Sequence, residues 1–168
     1  MARRHQSLVP LSRDHRAALA LAFRLNHPSP PGPATAVTPP STPASRARAV
    51  LDFFTAHLAG HFRAEEEVLF PAIALVLLPD APAAALLRVL VTEHRRLEAL
   101  RDAIADALAA STHAGEDVLL APLEEFAGTL ERHVRREERE LFTAFADLLP
   151  EPAASALGPR IDASLAAG

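Results

Sequence analysis

At 168 residues the chain is long enough for one domain with a substantial core and short for two. Apolar residues make up 49% and aromatic residues 5%, with no Tyr, Trp or Cys and a formal charge of −4. The apolar mass is mostly Ala and Leu, which predicts an all-helical protein. The missing cysteines exclude disulfides, thiolate chemistry and cysteine-ligated metal sites. The charge argues against nucleic acid or an anionic membrane as the main partner.

Taken in chain order, the basic start Met1–Ser7 lacks the apolar stretch of a signal peptide. A first helix is expected over about 12–26, capped by Ser12. Prolines 28, 30, 31, 33, 39, 40 and 43 then mark an extended connection over 27–43. A second helix is expected over 43–78, entered through Thr42-Pro43 and kinked or locally ended at Pro71. Its apolar run Val68–Leu78 falls far short of the ~20 residues that span a bilayer. Pro79–Pro82 breaks the chain, and Asp80 caps a third helix over 81–110. Ser111–Gly115 is a polar turn before a fourth helix over 116–149. A short fifth helix over about 152–157 is stopped by Gly158-Pro159. The chain therefore reads as one all-α domain over 1–168, with a bundle at about 12–149 and a tail at 150–168, soluble and cytoplasmic.

Each long helix carries an apolar seam at spacings of three and four. His and Glu interrupt those seams. His61-Phe62-Arg63-Ala64-Glu65-Glu66 followed by Leu69-Phe70 aligns with His133-Val134-Arg135-Arg136-Glu137-Glu138 followed by Leu141-Phe142, and Asp14-His15-Arg16 aligns with Glu93-His94-Arg95. Each half is thus a helix with one His followed by a helix with His-x-x-x-Glu, a spacing that puts both side chains on one face. A lone pair of this kind is most simply a surface hydrogen bond; repetition within apolar seams reverses that judgement.

In an up-down bundle, residues at one level lie equally far from the turn joining their helices. The midpoint of His61 and His94 falls between residues 77 and 78, that of His94 and His133 between 113 and 114, and that of His15 and His61 at 38. Each lies at or beside an expected connection, so the four histidines converge on one layer. Buried there as bare carboxylates, Glu65 and Glu137 would each cost several kcal/mol or stay protonated. Divalent metals resolve the cost by taking imidazole nitrogen and carboxylate oxygen as ligands. Two carboxylates can each bridge two metals, with two histidines per metal. A closed structural zinc site needs fewer ligands, and calcium and magnesium prefer oxygen. Two iron ions are the expected occupants, with manganese or zinc as alternatives. The ferritin-like di-iron signature, Glu-x-x-His with two further glutamates, does not match.

The combination H…HxxxE…H…HxxxE, with Glu-Glu and Leu-Phe trailing, resembles the hemerythrin family, specifically its bacterial HHE cation-binding domains, over about residues 8–149. The resemblance implies an up-down-up-down four-helix bundle. It implies that His15 and His61 ligate one iron, that His94 and His133 ligate the other, and that Glu65 and Glu137 bridge them. The oxygen carriers have a second histidine four residues after that of the third helix, where this chain has Glu98. They also have an Asp five residues after that of the fourth, where it has Glu138. Richer carboxylate ligation favours ferric iron and open positions. That turns the expectation from oxygen carriage toward binding or sensing dioxygen or nitric oxide, or toward iron handling.

Additional ligand candidates are His57, one turn before His61; Glu98, otherwise a partner for Arg95 or Arg101; and Glu138, otherwise, like Glu66, a salt-bridge former. His5, His27 and His113 are expected in solvent. The alternatives are a di-iron enzyme that reduces nitric oxide or peroxide or donates iron for cluster repair, and a helical adaptor with an empty site. A tyrosyl-radical oxidase is excluded. Any sensing output must pass through a protein partner or an oligomer.

Overall fold

The computed structural model describes residues 5–27, 42–78 and 80–167, apart from the side chain of His113; the expected proline-rich connection therefore lies almost entirely outside the described residues, as does Pro79. Four long helical rods form the bundle. The first is Val9–Asn26, after a 3-10 turn at Gln6–Leu8. The second spans residues 43–74 and the third is Pro82–Ala114. The fourth spans 116–148, and a C-terminal helix, Glu151–Ala166, follows. No strand occurs among the described residues.

Two apolar clusters fill the interior, and their order along each rod fixes the topology. Leu11 lies in one cluster and Ala18 in the other, with His15 between them; Leu58 and Leu69 flank His61 and Glu65. Leu90 and Leu97 flank His94, and Leu130 and Leu141 flank His133 and Glu137. The clusters are met in alternating order from rod to rod. The bundle is therefore up-down-up-down, and the histidine–glutamate layer separates its two apolar halves.

Local chemistry explains some boundaries and corrects others. Thr42 caps the second rod as expected: its side chain accepts from the Ser45 N–H, and Ser45 reciprocates. Ser12 is no cap, because the first helix begins at Val9 and encloses it. Asp80 is no cap either; Ala81 takes that position without a side-chain bond. The third helix runs four residues beyond the expected 110, through the supposed turn, and Gly115 supplies the reversal at φ 84°, where a side chain would be strained. The second rod passes Pro71 and ends at Ala74 rather than at 78.

Gly158-Pro159 does not stop the fifth helix, which continues to Ala166. Glycine and proline cost a helix interior about 4 kcal/mol together. Burying Leu157 and Ile161 returns about 1.5–3 kcal/mol each, so packing carries the helix through. It lies against the second rod and the N-terminal turn. Arg63 donates to the Ser164 carbonyl at 2.9 Å, and His5 meets Glu151 at 3.2 Å. His5 is thus partly covered instead of solvated; His27 is exposed and stacks on Phe23.

The rods are not uniform α-helix. Wider π turns occupy Phe54–Leu58, Glu65–Leu69 and Glu137–Leu141. Two of them begin at the glutamates of the repeat, whose carbonyls accept from the N–H groups of Phe70 and Phe142. Such turns concentrate at functional sites.

Candidate metal centre

His15, His61, Glu65, His94, His133 and Glu137 meet in the middle layer, each buried. Two overlapping sets form there: His15, His61, Glu65 and Glu137, and Glu65, His94, His133 and Glu137, with all donor atoms of a set within 4.8 Å of one another. Glu65 and Glu137 belong to both. Glu65 Oε1 lies 3.0 Å from His61 Nε2, and its Oε2 lies 3.2 Å from His94 Nε2. Glu137 Oε2 lies 3.0 Å from His15 Nε2 and 3.5 Å from His133 Nε2. Each carboxylate therefore joins the two halves.

A second layer of carboxylates turns every imidazole the same way. His15 Nδ1 donates to Glu138 at 2.7 Å, and His94 Nδ1 to Glu66 at 2.8 Å. His61 Nδ1 donates to Asp14 at 3.3 Å, and His133 Nδ1 to Glu93 at 3.2 Å. An ionised carboxylate can only accept, so each Nδ1 must carry the proton and each Nε2 must aim inward. This is the outer arrangement that orients metal-bound histidines. Glu93 also binds Arg136, and Glu66 also binds Arg95.

The inner atoms lack partners of their own. All four oxygens of Glu65 and Glu137, and Nε2 of His94 and of His133, are buried without a well-formed hydrogen bond. His15 Nε2 and His61 Nε2 face each other at 3.0 Å. Nitrogen lone pairs and carboxylate oxygens at these separations require a cation between them, either a proton or a metal. The donor chemistry, imidazole nitrogen with shared carboxylate oxygen, suits a pair of transition-metal ions.

Protons answer that demand in the metal-free protein. Burial opposes charge on His61, but Glu65 and Asp14 outweigh it and hold the ring up at about 10. Burial likewise opposes charge on His94, which Glu65 and Glu66 raise to about 9. Burial would raise Glu65, yet the adjacent His61 and His94 hold it well below the usual carboxylate range. His133 goes the other way, since burial with nearby His94 and His61 holds it down at about 4 despite Glu137.

A pH dependence follows. Groups whose folded pKa is raised above the unfolded value of about 6.5 contribute stability fully present below that pH and lost as pH rises through the folded value. Metal-free protein is therefore expected to lose melting temperature progressively from about pH 6.5 to about pH 10, with the contribution of His94 gone by about 9 and that of His61 by about 10. Loading a metal must expel those protons, so uptake at pH 7 should release protons and tighten as pH rises. An indicator-dye titration with zinc would read the release; uptake without proton release would contradict it.

Residues 8–145 match the hemerythrin HHE cation-binding domain. The chain belongs to the hemerythrin family. No curated protein and no solved structure matches it. The hemerythrin-like core thus covers the four rods to Phe145, and the C-terminal helix lies beyond the matched residues.

Among the further ligand candidates of this hemerythrin-like chain, the structure brings neither His57 nor Glu98 to the cluster. His57 is exposed, its ring 4.8 Å from that of Phe53. Glu98 pairs with Arg95 at 2.9 Å. Glu138 reaches the cluster's edge as the acceptor for His15 and stands outside both donor sets. Sequence reasoning did not find Asp14, Glu66 and Glu93 as orienting groups. The signal was there in the repeat: an acid precedes each lone histidine, and a second acid follows each Glu of HxxxE.

Proposed function

We propose that the chain acts as one hemerythrin-like domain holding two iron ions, one between His15 and His61 and one between His94 and His133, with Glu65 and Glu137 bridging, and that it binds or senses dioxygen or nitric oxide. The observation that carries this reading is the pair of donor sets sharing both glutamates, with each histidine aimed inward by its own carboxylate. Four protein donors per ion leave positions free in a six-coordinate site, and reduced iron there supplies electrons to a diatomic ligand.

The walls favour a small uncharged ligand. Phe62 stacks on His94 at 3.9 Å between ring centres, and Phe142 stacks on His15 at 5.2 Å. These rings and the apolar clusters on either side keep bulk water from the layer. A cleft of about 310 Å³ between the first and fourth rods, lined by Ser12, His15, Leu19 and Glu138, reaches the edge of the site. A larger cleft of about 900 Å³ beside Leu25, Arg46 and Arg132 includes no site residue. Among the described residues no helix is long and apolar enough to cross a membrane.

Anaerobic reduction of iron-loaded protein, followed by exposure to nitric oxide or dioxygen, separates the readings. A reversible spectral change supports binding or sensing, whereas sustained consumption with a reductant supports an enzyme. Wild-type protein that takes up no iron, and melts at one temperature with or without it, would leave a helical adaptor.

A further inference from the structure

The two halves of the repeat pair their histidines with carboxylates in the same way, and one difference beside those pairs is informative. Asp14 and Glu93 occupy equivalent places, each immediately before a lone histidine, and each accepts Nδ1–H from the HxxxE histidine of the next rod. Glu93 is also bound by Arg136. The residue equivalent to Arg136 is Ala64, and Asp14 has His61 as its partner.

The C-terminal helix explains why the first half carries no arginine there. Ala64 is fully buried in the cluster that includes Ala154, Leu157 and Ile161, and the segment Ala59–Ala64 packs directly on the C-terminal helix. No room exists for a long cationic side chain at this position. An added helix on one side of the bundle thus removes the two-fold equivalence of the site's surroundings.

We infer that the two metal positions are electronically unequal, with Asp14 making the His15/His61 position the richer and the Arg136-bound Glu93 making the His94/His133 position the poorer. This rests on the two-iron reading above. A carboxylate that accepts Nδ1–H draws that proton toward itself and makes Nε2 a stronger donor. An arginine on the same carboxylate spreads its charge and weakens the effect. Ferric charge is then favoured beside His61 and ferrous charge beside His133. The two one-electron potentials are split, with the His15/His61 position the lower. Asp14, Glu93 and Arg136 are positioning residues that act through the imidazoles.

The test is a mediated titration of iron-loaded protein with dithionite, followed by absorbance, alongside iron content per chain. Wild type should reduce in two resolved one-electron steps. Arg136→Ala, which copies the first half, should lower the upper potential and narrow the gap by at least about 59 mV, a tenfold change in the one-electron equilibrium. Arg136→Lys should keep the gap, because it keeps the charge. Asp14→Asn should narrow it from the other side by raising the lower potential, and it serves if Arg136→Ala folds poorly. A single unresolved step in wild type, or a gap unmoved in variants that still hold two irons, would overturn the inference. Wild type without iron would instead overturn the two-iron reading.

Discussion

Glu65→Ala should empty both metal positions at once, whereas His61→Ala should empty one and weaken the other. The difference follows from sharing. Glu65 lies 3.0 Å from His61 on one side and 3.2 Å from His94 on the other, and it is one of two carboxylates that can balance the charge of the ions. Without it each set falls from four donors to three, and Glu137 alone faces two cations in a buried layer. Removing even an outer-layer partner typically costs 10–100-fold in metal affinity, roughly 1.4–2.8 kcal/mol; losing a shared inner ligand should exceed that at both positions. Iron and zinc content of purified protein, measured beside far-UV circular dichroism, reads the result. Glu65→Ala protein that remains helical and still holds about two ions per chain would contradict the bridging role.

Ile161→Ala tests the other large effect, the dependence of the hemerythrin-like bundle on the helix that follows it. Ile161 is fully buried and shares a cluster with Leu8, Leu69, Ile73 and Phe145, drawn from the N-terminal turn and from the second and fourth rods. Truncating such a side chain costs about 2–5 kcal/mol through lost burial and the cavity left behind. For a chain of this size that corresponds to a fall of roughly 5–15 °C in melting temperature. Asp162→Ala, on the exposed side of the same helix, should move it by about a degree. Equal melting of the two variants would mean that the helix contributes little to the fold.

The six central residues were legible before any coordinates because two independent signals agreed. Duplication of HxxxE marked the face, and equal distance from three connections marked the level. Both depend only on helical periodicity and chain length. Capping was harder to read. Thr42 worked because a proline and a reciprocating Ser45 followed it, while Ser12 and Asp80 stood near helix starts but outside their geometry. The C-terminal helix was misjudged because propensity weighs Gly158 and Pro159 without seeing what Leu157 and Ile161 bury.

Sequence alone determined the helical class and the residues that share the histidine–glutamate layer, since apolar spacing and repeat symmetry are properties of the chain itself. The tertiary structure decided what those residues face. Only side chains from neighbouring rods could show that Glu66 and Glu138 orient histidines from outside the cluster and that His57 and Glu98 point away. The folded chain also revealed where the two halves stop being equal. A helix packed against Ala64, and an arginine holding Glu93, are relations between segments far apart in sequence, and no local pattern encodes them.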